Sequence, residues 1–140
     1  MHPVDHDAEL LHEAALLHDF TEALVWCHAP EHALEMQRRQ RADPALRSAS
    51  VQRELLGVEL IDLEQALMHA WQLPEPLIRF TDDHRSDDPR VLNVMLAIRL
   101  ARHSQHGWHN PALPDDFTDI GMLLNLTPAM ARQKVMRLDR

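Results

Sequence analysis

Apolar residues recur along this chain at three- and four-residue intervals, the period of helices that bury one face. Leu10, Leu11, Ala14, Leu17, Leu24 and Val25 keep that spacing and predict one long amphipathic first helix. Pro30 falls where a new helix would start, and Glu31 to Arg41 reads as a more polar helix behind it. Asp43-Pro44 offers a cap followed by a proline at the first helical position. It predicts a third helix from Ala45 to Leu56, stopped by Gly57. Leu60, Leu63, Leu67 and Trp71 step by three or four until Pro74 ends the run. A short helix through Leu77, Ile78 and Phe80 runs to His84, and the polar stretch from Arg85 to Pro89 reads as a loop. Val91 to His103 carries apolar residues on most faces, which places it centrally. A turn-rich connection from Gly107 to Pro114 precedes a helix over Phe117 to Leu126. Thr127-Pro128 then restarts the chain into a final helix. No strand-like alternation appears, so the expected fold is all-α: one compact domain over residues 1–140 with about seven to eight helices.

Composition agrees. A hydrophobic fraction of 45% with only three glycines suits a packed globule. No apolar run approaches the ~18 residues that cross a bilayer, and Asp5, Asp7 and Glu9 spoil a signal-peptide start. A cytoplasmic setting without a membrane partner is therefore expected. The single cysteine, Cys27, makes no internal disulfide, and beside Trp26 it reads as core filling. A formal charge of −8 repels phosphate backbones, so nucleic acid is not an expected partner. The basic runs Gln37-Arg38-Arg39-Gln40-Arg41 and Arg132, Lys134, Arg137, Arg140 read as solvated helix faces.

His18-Asp19, at the end of Ala14-Ala15-Leu16-Leu17, is the first candidate for chemistry. Imidazole and carboxylate suit Mn, Fe or Zn, and a metal-bound water is a hydrolytic nucleophile. Adjacent helical residues point about 100° apart, so both reach one metal only where the helix rims a cavity. Without partners, the dipeptide reads as a histidine packed at the core edge beside a solvated acid. His103, His106 and His109 sit near a helix end, where Gly107 and Pro111 break a shared geometry. Pro30 interrupts the pair His28 and His32. The glycines at 57, 107 and 121 stand alone and make no phosphate loop.

Gly57, Leu67, Trp71, Leu73, Pro74 and His84 have the spacing of the HDOD family, non-catalytic relatives of the HD and HD-GYP phosphohydrolases. Ala14-Ala15-Leu16-Leu17-His18-Asp19 resembles the family's Gly-Leu-Leu-His-Asp segment, and Val91 to Ala101 its hydrophobic helix. The resemblance covers roughly residues 8 to 138 and looks like the C-terminal portion of such a domain. Departures from the pattern matter more. The family histidine after the glycine falls on Leu60, a family glycine on Glu64, and the second member of the double histidine on Arg85. Leucine cannot ligate a metal, and arginine is a permanent cation.

The resemblance implies a non-enzymatic signalling or regulatory module of bacterial type, acting through protein–protein contacts, with a homodimer as one form of them. His18, Asp19 and His84 are then remnants of a metal site, with no catalytic residue, resident metal or cofactor expected. One alternative is a metal-dependent phosphodiesterase acting on a nucleotide. It would use His18, Asp19 and His84, with Asp82 or Asp83 completing the shell. Another is a nucleotide- or phosphate-sensing module in which Arg85 captures the anion.

Overall fold

In the computed structural model, the described residues are 3–139, with side chains described from residue 7 onward. All regular structure among them is helical. The chain forms α1 (Pro3–Leu17), α2 (Phe20–His28), α3 (Pro30–Ala42), α4 (Ser48–Leu56) and α5 (Leu60–Ala70). It continues through α6 (Glu75–Phe80), a 3-10 turn (Asp83–Arg85), α7 (Pro89–Ser104), α8 (Leu113–Leu124) and α9 (Pro128–Leu138). The all-α expectation holds, with one more helix than the pattern suggested. The long first helix is two helices, broken at His18-Asp19. None of the described helices is long and apolar enough to cross a membrane.

Helix ends follow the expected chemistry in most places. Pro30 opens α3, Gly57 caps α4 in the left-handed conformation at φ 74°, and Thr127 Oγ1 accepts from Met130 N at 3.2 Å ahead of Pro128. Two starts are displaced. Helix α8 begins at Leu113 rather than Phe117, with Pro114 in its first turn. Asp43 Oδ1 accepts from Ala45 N at 3.0 Å, a local turn that spends the cap, so α4 begins at Ser48 rather than Ala45. The end of α5 uses a non-glycine at its left-handed position. Gln72 has φ 55°, and Leu73 N reaches back to Met68 O at 3.0 Å.

Three apolar clusters hold the helices together. The largest joins Ala14 of α1, Met68 of α5, Leu77, Ile78 and Phe80 of α6, and Val94 of α7. A second packs Val25, Ala33 and Leu60, and a third packs Leu96, Ile120 and Ala131. Helix α7 touches α1, α6 and α8, the central place its apolar faces suggest. In the tight α8–α9 corner, a Cβ added at Gly121 would stand 2.7 Å from the Leu126 carbonyl oxygen. Backbone has to move to admit it, so Gly121→Ala is expected to destabilise by about 1–3 kcal/mol, measurable by urea unfolding.

Cys27 departs from expectation. It is exposed, because α2 turns Thr21 and Val25 inward and leaves Cys27 and Trp26 on its outer side.

Candidate functional site

The break between α1 and α2 creates the most unusual polar cluster in the molecule. In a continuous helix His18 and Asp19 would diverge; in a two-residue turn both side chains meet. His18 Nδ1 pairs with Asp19 Oδ1 at 3.0 Å. Asp19 has the position of the α2 N-cap, and its backbone oxygen accepts from Glu22 N at 3.1 Å. Its carboxylate makes no cap bond, being held by His18 and by Arg102 of α7 at 2.8 Å.

The second ring nitrogen of His18 meets Asp83 Oδ1 at 2.8 Å. Asp83 is carried there by local structure. Thr81, fully buried, is gripped by Gln65 Nε2 at 3.2 Å, which fixes the end of α6 against α5. Asp82 Oδ1 then accepts from His84 N at 3.2 Å and closes the 3-10 turn that presents Asp83. The same turn carries His84 outward, where Nε2 meets Asp62 Oδ1 at 3.1 Å and both side chains are exposed. Of the three remnant positions, the fold therefore joins His18 and Asp19, with Asp83 in the place expected of His84. Arg85, the candidate anion contact, is exposed, with its guanidinium 3.4 Å from Asp82.

Beneath the cluster lies a residue whose role the pattern did not reveal. Glu64 is 1% exposed, and its Oε1 has no hydrogen-bond partner. It belongs to the inward face of α5 with Leu60 and Met68. The signal was present: a carboxylate four residues from Leu60 and from Met68 interrupts an otherwise apolar stripe.

The protonation states follow from these contacts. Burial works against the charged His18 ring. Hydrogen bonds to Asp19 and Asp83, with their charges, outweigh it and raise its pKa to about 10. Burial likewise opposes ionised Asp19, yet the His18 ring and the Arg102 guanidinium prevail and lower its pKa. For Glu64, burial dominates. The His18 charge opposes the rise, Asp19 and Asp83 add to it, and the pKa reaches about 8. At neutral pH the group is thus an imidazolium and a guanidinium facing the Asp19 carboxylate, with Asp83 against the ring and a protonated Glu64 below.

Both ring nitrogens of His18 are engaged by carboxylates, at 3.0 Å and 2.8 Å. The other ligand position, Leu60, is a buried apolar residue of the second cluster. The donor set as arranged does not fit a divalent cation. Among the described residues, no three His, Cys, Asp or Glu side chains converge with metal-holding geometry. His103, of the histidine series after α7, joins a separate network: it and Arg99 both hold buried Asp116, and Arg99 also pairs with Asp119. His106 and His109 are exposed.

A family model described as the HDOD domain matches residues 2–86. The match ends just past the 3-10 turn, short of residue 138, to which the resemblance in the sequence extends. It covers the N-terminal part of this chain, from α1 through the 3-10 turn. No curated protein and no solved structure matches the chain.

Proposed function

This chain belongs to the HDOD family, and we propose that it is a non-enzymatic regulatory module working through protein contacts. The observation that carries this reading is the closed ion network around His18. Both ring nitrogens are spent on Asp19 and Asp83, and Arg102 takes the remaining charge of Asp19. A hydrolytic centre needs carboxylates and imidazoles with free lone pairs around a metal-activated water. Here the same residue types neutralise one another and fasten α1, α2, the 3-10 turn and α7 together. The remnant of a ligand set serves as a structural clasp.

Surface composition supports the second half of the reading. Helix α2 is short and apolar, yet Ala23, Trp26 and Cys27 lie on its outer side. Nearby, Trp71 packs on Phe20 with ring centroids 5.6 Å apart and remains 55% exposed. Leu16 is 72% exposed. Large exposed apolar side chains, with Trp71 seated on Phe20 among them, suit a contact surface. A second copy of this chain is one occupant; a different protein is another. The phosphate-sensing alternative finds less support, because Arg85 is held by Asp82 rather than aimed into an enclosed site.

Purified protein supplied with manganese is expected to bind no stoichiometric metal and to show no turnover of phosphodiester substrates. Elemental analysis and a nucleotide phosphodiesterase assay check this. Stoichiometric manganese, with turnover abolished in Asp19→Ala, would establish the phosphodiesterase alternative instead. Light scattering on the eluting protein decides between a homodimer and a monomer awaiting another protein.

A further inference from the structure

A cavity of about 490 Å³ opens between α2, α3, α4 and the end of α7, and none of His18, Asp19, Glu64 or Asp83 lines it. Its size lies within the usual range for small-molecule sites. Four of the seven glutamines in the chain line this one cavity: Gln37, Gln40, Gln52 and Gln105. Two have one end already engaged. Gln40 Nε2 donates to Ser48 Oγ, leaving its oxygen as an acceptor, and Gln52 Oε1 accepts from Leu60 N at 2.8 Å, leaving its amide hydrogens as donors. Gln37 and Gln105 make no side-chain hydrogen bond among the described residues and keep both functions.

The ionisable groups lining the cavity each have a partner. Arg102 is bound to Asp19 at 2.8 Å and lies 3.9 Å from Glu22, and His103 Nδ1 is engaged by buried Asp116. Apart from Ser48 the remaining lining is apolar, with Val51 and Leu60 buried and Trp26 partly exposed. The cavity therefore combines an indole, donors and acceptors in amide pairs, and an arginine already drawn to a carboxylate.

We propose that this cavity binds the nitrogen heterocycle of a neutral, nucleobase-type ligand, stacked on Trp26 and read by the glutamine amides. An amide presents a donor and an acceptor side by side, which matches the edge of a nucleobase, and an indole face stacks on its ring. A phosphorylated ligand would have to compete with Asp19 for Arg102. A carbohydrate would share the amides but not require the flat stack.

Adenosine is the probe. It is expected to bind the intact protein in calorimetry and to quench tryptophan fluorescence, with AMP no tighter and glucose not bound. Trp26 and Gln37 are exposed enough to change without loss of fold. Trp26→Leu is expected to weaken adenosine roughly ten- to a hundredfold and to remove the quench. Gln37→Leu is expected to weaken it roughly tenfold. Absence of adenosine binding, unchanged affinity in both variants, a glucose preference, or AMP binding tenfold tighter would each overturn the proposal.

Discussion

Replacing Glu64 by methionine is expected to stabilise the protein, and by far more at pH 9 than at pH 5. Glu64 is buried beside Met68 on α5 with an unpartnered oxygen, and its pKa is pushed up to about 8. The unfolded chain loses this proton near pH 4.5, whereas the folded chain keeps it until about pH 8. Between those values the folded state holds more protons than the unfolded one, so stability falls as pH rises. The whole fall is on the order of 4 kcal/mol. Methionine abolishes it and, at any pH, removes an unsatisfied polar atom worth about 1–3 kcal/mol. Urea unfolding of the wild type and Glu64→Met at both pH values measures the difference. An equal gain at pH 5 and pH 9 would refute the assignment.

Loss of the His18 ring is expected to have the opposite sign. His18→Leu leaves two partly exposed carboxylates without the cation between them, Asp19 keeping Arg102, at a cost of about 1–3 kcal/mol at pH 7. With its pKa raised from 6.5 to about 10, His18 contributes its full stabilisation below pH 6.5 and loses it as pH climbs toward 10. The penalty of His18→Leu should therefore shrink across that window. Asp83→Asn is expected to recover part of the loss in the His18→Leu background while being destabilising alone, the signature of a coupled pair in a double-mutant cycle. Additive effects would show that the two side chains do not act on each other.

Most of the helices were legible because their signals are local. Pro30, Gly57 and Thr127-Pro128 each act through the backbone within one turn, and the structure honours all three. The break at His18-Asp19 was hidden because the apolar spacing continues through it: Leu10, Leu11 and Leu17 pack on one cluster and Val25 on another. Periodicity registers burial, not whether one axis or two carry it. The choice of Asp83 over His84 as the partner of His18 was equally hidden. It depends on a 3-10 turn set by Asp82 and on the grip of Gln65 on Thr81, a contact across sixteen positions. On α5, of the stripe Leu60, Leu63, Leu67 and Trp71 only Leu60 lies on the buried face. The inward residues are Leu60, Glu64 and Met68, and reading that face would have exposed Glu64 at once.

The matched segment and the folding unit do not coincide. The match closes at residue 86, yet Val94 and Ile98 of α7 pack into the same cluster as Ala14, Met68 and Phe80. Arg102, also on α7, supplies the guanidinium that Asp19 holds. A piece cut at the limit of the match would carry the recognisable residues and still lack one wall of its own interior. Domain dissection should therefore be guided by these packing partners, with α7 retained in any fragment meant to stand alone.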